Sequence, residues 1–384
     1  MTVTTPAGFR SAGIAVGLKS TGKPDLALVE NLGPRFDAAV VFTSNRAQAH
    51  PVIWRRAVAQ SGEARAIVLN SGGANCFTGD FGADTTRLTA EAVADALSAT
   101  AGQILVCSTG LIGTGDQAFR DKIVHNVPTL VGALSEDDTT APAAILTTDS
   151  VEKIAVHQGA GWSIGAMAKG AGMLAPGLAT MLVVITTDAL LPQAELDTAL
   201  RHAPATPFGR LDSDGCMSTN DTVALLSSGA SGVTPDAAEF AAALAGVCDQ
   251  LAAALQADAE GASHNIAIEV IGAASPAEAV EVGRSVARNN LFKTAIYGND
   301  PNWGRVLAAN GTTTAQFDPY AVDVSFNGVR LCHAGGPGRP VTDVDLTPRA
   351  THVRIELFAG EHDATIRTND LTQAYVHENS AYSS

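Results

Sequence analysis

The sequence has few aromatic and few charged residues. Phe, Trp and Tyr make up 5% of its 384 residues and Asp, Glu, Lys and Arg 16%, whereas hydrophobic residues reach 46%. This composition is typical of a folded globular protein and excludes a disordered chain. Because a chain of this length exceeds what one hydrophobic core usually serves, we expect two domains or two closely packed halves.

Basic residues are scarce as well, since 24 Lys and Arg stand against 39 Asp and Glu and leave a net charge of −15. Nucleic acid is therefore not expected as a partner, because its phosphates require a basic surface. The most apolar run, residues 181–185, is too short to cross a bilayer. Residues 1–8 also lack the charged and apolar segments of a signal peptide. We expect a soluble, cytoplasmic protein without a membrane partner.

Motifs for metals and common cofactors are missing. The nine histidines have no H-x-H or H-E-x-x-H spacing, and the five cysteines form no C-x-x-C pair. Scattered cysteines in odd number indicate buried thiols in a reducing compartment. Neither a phosphate-binding loop nor a complete G-x-G-x-x-G is present, and the G-x-S-x-G elbow of the α/β-hydrolases is absent. We therefore expect no metal, no nucleotide and no organic cofactor.

Strands and helices are both indicated along the chain. Continuous apolar runs predict strands that are covered on both faces, and apolar residues three and four positions apart predict helices. The predicted strands are 38–43, 66–70, 104–107, 181–185, 265–271, 322–326 and 353–357. The predicted helices are 88–97, 235–260 and 276–291. The fold class is α/β or α+β, with two layers of helices over sheet.

Two Gly-rich turns follow predicted strands, at residues 70–75 and 108–113. In the second turn, Thr109 and Gly110 offer a hydroxyl and a backbone N–H, the donors that stabilise an oxyanion in acyl transfer. A simple exit from a strand is the alternative interpretation of this turn.

Residues 168–188 are unlike the rest of the sequence. A loop rich in Gly and Pro, which begins beside Lys169, leads directly into the apolar strand, and the junction is Ala179-Thr180. On the residues alone, the favoured interpretation of this segment is a surface loop that enters a core strand. Nothing in its periodicity shows that Thr180 reacts.

This segment resembles the signature of the ornithine acetyltransferase/glutamate N-acetyltransferase family, which has a Lys-Gly-x-Gly-Met loop followed by Pro and then Ala-Thr-Met-Leu. The resemblance extends over nearly the whole chain through a series of ordered motifs. They are Asn-Ser-Gly-Gly-Ala-Asn at 70–75, Cys-Ser-Thr-Gly-Leu-Ile-Gly at 107–113, Thr-Thr-Asp at 147–149, Ser-Thr-Asn-Asp-Thr at 218–222, Gln-Ala-Asp-Ala-Glu-Gly at 256–261, Gly-Asn-Asp-Pro-Asn-Trp-Gly-Arg at 298–305 and Glu-Asn-Ser-Ala-Tyr-Ser-Ser at 378–384.

The resemblance implies an αββα sandwich of the kind found in self-processing aminopeptidases and ornithine acetyltransferases. It also implies that the chain cuts itself between Ala179 and Thr180. An α chain of residues 1–179 and a β chain of residues 180–384 would share one core and assemble as an α₂β₂ heterotetramer.

The implied chemistry is a ping-pong transfer of acetyl from N-acetylornithine to glutamate through acetyl-Thr180. A threonine hydroxyl needs an adjacent base. Once Thr180 is a chain terminus, its own α-amine, with a pKa near ~8, serves as that base. The family positions that match are Thr109 and Gly110 for the oxyanion, and for substrate they are Thr147, Thr148, Lys169, Thr180, Glu260, Asn379 and Ser384.

Among the substrate residues, Lys169 is the expected cation for the α-carboxylate. Glu260, at the end of the predicted helix 235–260, is the expected anion for the ornithine ammonium. An isolated loop lysine is more often solvated, and a carboxylate at a helix C-terminus is unfavourable by ~0.3–1 kcal/mol. Use of Asn379 and Ser384 near the chain terminus follows from the family alone.

Several alternatives stay open. Acetyl-CoA is a possible second donor, and a paralogue from a secondary-metabolite cluster would carry the same motifs. A self-processing aminopeptidase or amidase would use water as the acceptor. A non-catalytic binding protein would keep its chain intact, so that Thr180 never becomes a terminus.

Overall fold

The structure is a computed structural model that describes residues 2–175, 181–203 and 207–381. Two compact units are present. As far as their ranges are described, the first comprises Met1–Gly170, Pro176–Gly209 and Met217–Leu255, and the second comprises Ala171–Ala175, Arg210–Cys216 and Gln256–Ser384.

The first unit combines two sheets with helices. Its strands are β1 (Phe9–Ile14), β2 (Leu26–Asn31), β3 (Asp37–Phe42), β4 (Ala66–Ser71), β5 (Ile104–Thr109), β6 (Lys153–Gln158), β7 (Ser163–Lys169), β8 (Leu182–Thr187) and β9 (Thr222–Ser227). Its helices are α1 (His50–Ala59), α2 (Gly79–Leu97), α3 (Gln117–Val124), α4 (Val127–Gly132), α5 (Ala141–Ala144), α6 (Gln193–His202) and α7 (Ala237–Ala257), with a 3₁₀ turn at Ala101–Gln103. Helix α7 continues for two residues past the boundary of this unit.

The two sheets face each other. One has the strand order β1-β2-β4-β5 and the other β3-β9-β8-β7-β6, with parallel pairing only between β4 and β5 and between β8 and β9. Because alternate residues of a strand point to opposite faces, one set of apolar side chains fills the space between the sheets. Val29 and Ile67 from the first sheet pack there with Val184 and Leu226 from the second.

Helices cover the outer faces of both sheets. Val68 of the first sheet packs outward against Val93 of α2 and Ile123 of α3. Next to the second sheet, α6 lies along β3, and the Phe240 ring of α7 lies 5.5 Å from the Trp162 ring that precedes β7. The layers therefore run helix, sheet, sheet, helix, which confirms the expected αββα sandwich.

Helix α7 is the one helix in the described part of the chain that is long and apolar enough to cross a membrane by length and composition. Its apolar stripe nevertheless lies inside the protein, and a core helix passes the same test. The buried side chains of this stripe are Phe240, Leu244, Val247, Leu251 and Leu255.

The second unit has a single sheet. Its strands are β10 (Asn265–Ala273), β11 (Asp323–Phe326), β12 (Val329–His333), β13 (Gly336–Pro337), β14 (Ala350–Glu356) and β15 (His362–Asn369), in the order β13-β12-β11-β14-β10-β15. Its helices are α8 (Pro276–Ala287), α9 (Asn290–Tyr297), α10 (Trp303–Asn310) and α11 (Gln373–Ala381), with a 3₁₀ turn at Val341–Asp343. Val282 and Phe292 pack with Ile268 and Ile366 in its core.

All three predicted helices have different bounds in the structure. The predicted helix 88–97 is the second half of α2, which begins at Gly79. Residues 276–291 form two helices, because the side chain of Asn289 accepts the N–H of Phe292 and starts α9. Leu291 is therefore 62% exposed, not part of the buried stripe. The predicted helix 235–260 ends at Ala257, so that Glu260 lies in a turn beyond the helix.

Candidate active site

The two Gly-rich turns of the first unit lie against each other. Strands β4 and β5 are parallel, with Ser71 beside Thr109, so the turns leave the same end of the sheet. The N–H groups of Gly72 and Gly73 donate to the Thr109 carbonyl at 2.9 and 3.0 Å. Gly110 has φ +128°, and a Cβ there would lie 2.6 Å from the Gly73 nitrogen. Only glycine fits at this position, because any side chain would collide with backbone.

Lys169 lies at this turn. It is the last residue of β7, is only 9% exposed, and its Nζ donates to Thr109 Oγ1 at 3.1 Å. The expectation of a loop position for Lys169 is therefore wrong, and so is the alternative of a solvated side chain. An ammonium can only donate, so the Thr109 hydroxyl accepts from Lys169 and directs its own hydrogen to another acceptor.

Asp149 organises the turn that contains Thr147 and Thr148. Its carboxylate accepts from Lys153 Nζ at 2.7 Å, from the Gly170 N–H at 2.6 Å and from the Thr147 N–H at 3.0 Å. Burial alone would raise the pKa of Asp149, but the charges of Lys169 and Lys153 and the hydrogen bonds from Lys153 and the Thr147 N–H lower it to about 2. The group is therefore ionised at neutral pH.

A further lysine fixes the same turn from the other side. Lys19 Nζ donates to the carbonyls of Leu146 and Pro24 at 2.7 and 2.8 Å. Burial lowers the pKa of Lys19, against the opposing charges of Asp25 and Asp149. Within the turn, Thr147 is half-buried and Thr148 is exposed.

Asp221 is a second buried carboxyl in this unit. It precedes β9, where the Thr222 N–H donates to the Met181 carbonyl at 2.9 Å. Its Oδ2 has no hydrogen-bond partner among the described residues. Burial raises the pKa of Asp221 well above its usual range, although the Ser218 hydroxyl and the charges of Lys169 and Arg55 oppose the rise. The group is therefore biased towards its protonated form.

Glu260 and Asn379 come together in the second unit. Asn379 Nδ2, on α11, donates to Glu260 Oε2 at 2.9 Å, and the Glu260 N–H donates to the Ala171 carbonyl at 3.1 Å. A Cβ on Gly172 would lie 2.6 Å from Glu260 Oε1, so the carboxylate lies directly over this glycine. Because Glu260 is beyond the end of α7, the helix-dipole reasoning for its placement was wrong.

Asp214 and Tyr375 lie near Glu260, and no sequence motif indicates either residue as part of the site. Burial raises the pKa of Asp214, and the Glu260 charge adds to the rise. Burial likewise raises the pKa of the Tyr375 phenol, together with the charges of Asp214, Cys216 and Glu260. A sequence pattern does not reveal that Asp214 and Tyr375 lie near Glu260, since the three residues come from separate segments of the chain.

The structure brings the expected site residues together in two sets. Glu260 and Asn379 belong to the second unit, and the first unit contains Thr109, Gly110, Thr147, Thr148 and Lys169. Three of the expected residues lie outside the described residues, namely Ala179, Thr180 and Ser384.

All five cysteines are free thiols, of which Cys216 is exposed and the other four are buried. In the part of the chain that is described, no three His, Cys, Asp or Glu side chains cluster in a way that could hold a metal ion.

Comparison with known proteins identifies the family. The ArgJ family model matches residues 10–384. The arginine biosynthesis bifunctional protein ArgJ of Streptomyces coelicolor is 57% identical over 385 residues, which cover 100% of both chains. The protein of the same name from Thermobifida fusca is 54% identical over 384 residues, again 100% of both chains.

Solved structures are similar as well. The ornithine acetyltransferase of Mycobacterium tuberculosis, complexed with ornithine, is 49% identical with a TM-score of 0.44, and the match covers 46% of this chain and 94% of that chain. The arginine biosynthesis bifunctional protein argJ of Bacillus halodurans is 31% identical with a TM-score of 0.49, and the match covers 52% of this chain and 98% of that chain.

The family match and the relatives of equal length define an acetyltransferase of arginine biosynthesis. The chain belongs to the ArgJ family.

Proposed function

We propose that this enzyme transfers acetyl from N-acetylornithine to glutamate through an acetyl-Thr180 intermediate, after it has cut its own chain between Ala179 and Thr180. The observation that carries the proposal is the contact between Lys169 and Thr109, which places a buried cation on the hydroxyl of a Gly-rich turn. Such a turn suits an oxyanion, because its donors are fixed before the charge develops.

The strands that flank the cut support self-cleavage. Strand β7 ends at Lys169 and β8 begins at Leu182, and these two residues are partners in the antiparallel register. The segment with the Ala179–Thr180 bond therefore connects two adjacent strand ends, and Lys169 at one of them contacts Thr109. Both flanking strands would stay paired once the bond is broken, so the core survives the cut. This agrees with an α chain of residues 1–179 and a β chain of 180–384 in one core, which we propose to assemble as an α₂β₂ heterotetramer in the cytoplasm.

The chemistry then follows from the residues. The α-amine of Thr180 takes the proton of its own hydroxyl, which attacks the acetyl carbonyl of N-acetylornithine. The Thr109 hydroxyl and the Gly110 N–H donate to the resulting oxyanion. The ammonium of Thr180 returns its proton to the amide nitrogen, the bond from that nitrogen to the acetyl carbon breaks, and ornithine leaves. Glutamate attacks the acetyl-threonine ester in the second half and becomes N-acetylglutamate. No metal or organic cofactor takes part in these steps.

Charge decides which end of the substrate each group binds. Lys169, with the hydroxyls of Thr147 and Thr148, binds the α-carboxylate that ornithine and glutamate share. Glu260, held by Asn379, binds the side-chain ammonium of ornithine, and Ser384 supplies a further contact. Acetyl-CoA is proposed as a second donor, and the bifunctional naming of the relatives supports this.

The first test is the state of the chain. Purified wild type and Thr180→Ala are compared on a denaturing gel, with intact mass and N-terminal sequencing. We expect two wild-type fragments, the second beginning Thr-Met-Leu-Val, and a single chain for the variant. A wild type that stays uncut after long incubation leaves Thr180 without a free amine and overturns the mechanism.

The second test is the oxyanion turn. Thr109→Ala is expected to lose ~10²–10³ in the rate of acetyl transfer from N-acetylornithine to glutamate. Thr198→Ala, at an exposed position of α6, is the matched control and should keep the wild-type rate. Equal rates of acetyl transfer for both variants would show that Thr109 does not stabilise the oxyanion.

A further inference from the structure

We propose that Asp149 is a positioning residue for acetyl transfer, a buried carboxylate that holds the substrate-binding turn and the end of β7 in one fixed geometry. The inference rests on the proposed function and adds a residue to it. Asp149 acts through Thr147, Gly170 and Lys169.

Its two oxygens face two different segments of the chain. Oδ1 accepts from Lys153 Nζ at 2.7 Å and from the Gly170 N–H at 2.6 Å. Oδ2 accepts from the Thr147 N–H at 3.0 Å and from the Thr147 hydroxyl at 3.4 Å. One rigid, planar group therefore fixes the distance between the Thr147 turn and the residue that follows Lys169.

The surroundings keep this carboxylate ionised. The side chains of Asp149 and Lys153 are both 0% exposed, and the charges of Lys169 and Lys19 also face Asp149. Burial would raise the pKa of Asp149, but the neighbouring ammoniums lower it to about 2. Asp149 is thus ionised at neutral pH and accepts from all its donors.

The position of Lys169 depends on this anchor. Gly170 follows Lys169 in the chain, and its N–H is held by Asp149. The backbone is therefore fixed on one side of Lys169, while its ammonium reaches Thr109 Oγ1 on the other. A loss of the anchor moves the cation relative to the Thr109 hydroxyl, and a shift of about 1 Å costs about 10²-fold in rate.

The test must separate positioning from a purely structural ion pair. Asp149→Asn alone leaves a buried ammonium without its carboxylate and threatens folding, whereas Asp149→Asn combined with Lys153→Met removes both charges. We therefore measure kcat/KM for N-acetylornithine and glutamate in wild type, Lys153→Met and the combined variant. Each rate is normalised to the cleaved fraction on a gel, and each fold is checked by circular dichroism. The combined variant is expected to lose about 10²-fold. Lys153→Met is expected to lose much less, because Asp149 keeps its contacts to Thr147 and Gly170 and the remaining charges of Lys169 and Lys19 still face its carboxylate.

A double-mutant cycle supplies the readout that a structural role would not change. Thr147→Ala is introduced into wild type and into the combined variant. If Asp149 acts through Thr147, the alanine costs less in the combined variant than in wild type, because the turn is already displaced. Equal costs in both backgrounds, or a loss in Lys153→Met as large as in the combined variant, overturn the proposal. A wild type that transfers no acetyl at all refutes the proposed function instead.

Discussion

Asp149 and Asp221 are two buried carboxyls of the first unit, and the charge of Lys169 acts on both. Their pKa values nevertheless shift in opposite directions. The pKa of Asp149 is lowered to about 2, whereas burial raises that of Asp221 well above its usual range. Asp149 accepts from an ammonium and from two backbone N–H groups, but Asp221 Oδ2 has no partner within the described residues. A nearby cation is thus not enough to ionise a buried acid. Hydrogen-bond donors that contact the carboxylate directly decide whether it is ionised.

The difference comes from where each residue lies in the fold. Asp149 is in a turn ahead of β6, where backbone N–H groups are not used by a sheet and can point at its carboxylate. Asp221 precedes β9, a strand with neighbours on both sides. Strand pairing already uses the backbone there, since Thr222 donates to Met181 and Thr43 donates to the Asp221 carbonyl. Sheet formation therefore leaves the Asp221 side chain short of donors.

The largest expected effect is on stability in Asp149→Asn. The substitution removes the carboxylate that neutralises the buried ammonium of Lys153, and breaking a buried pair in this way costs about 3–5 kcal/mol. Urea unfolding at pH 7 measures the change in the free energy of unfolding. The exposed pair of Asp84 and Arg87 on α2 gives the control, because Asp84→Asn should cost less than about 1 kcal/mol. Similar losses for the two variants would contradict the comparison.

A second expected effect appears in acid. The folded pKa of Asp149 is depressed, so its contribution is complete above the unfolded pKa of about 3.9 and is lost as the pH falls through about 2. The shift corresponds to roughly 2 kcal/mol. Unfolding free energies from pH 5 downwards should fall more steeply in wild type than in the variant with Asp149→Asn and Lys153→Met. Parallel curves would show that Asp149 does not titrate as described.

The smallest expected effect at neutral pH is a gain in stability, in contrast to the losses above, and it is expected for Asp221→Asn. Since the folded pKa of Asp221 is raised, its contribution is complete below the unfolded pKa and is lost as the pH rises towards the folded pKa. Asparagine has a similar shape and does not ionise, so the variant should be more stable than wild type at pH 8 and should gain less at pH 5. Urea unfolding at both pH values, with the exposed Asp137→Asn beside it, checks the trend. A variant less stable than wild type at pH 8 would contradict it.

Much of the secondary structure was predictable because buried strands are continuous apolar runs. The prediction at 66–70 matches β4 and that at 104–107 lies within β5. Strand β7 was missed, although every residue in it is buried, because its Gly and Ala content and terminal lysine resemble a loop. The αββα layering followed from family resemblance and not from periodicity, since apolar patterns do not show which sheet faces meet.

The site was predictable only in part. The Thr109–Gly110 turn was predictable because glycine follows a predicted strand. The Lys169–Thr109 contact joins residues 60 positions apart, which spacing alone cannot reveal. Asp149 and Asp221 both stand in recognised motifs, and neither motif indicates which carboxyl is ionised. Their difference depends on hydrogen bonds that exist only in the folded chain.

The pairing of β7 with β8 has a consequence for a cut protein. These strands lie on opposite sides of the proposed scission point, and the pairing of β3 with β9 likewise joins residues 37–42 to residues 222–227. After scission, the two polypeptides would be held by noncovalent contacts alone, with the shared sheets among them, like the halves of a complemented protein. Unfolding would then be a dissociation governed by mass action, with a midpoint that rises with protein concentration. The uncut Thr180→Ala chain keeps its halves tethered, so its two segments remain one molecule at any dilution.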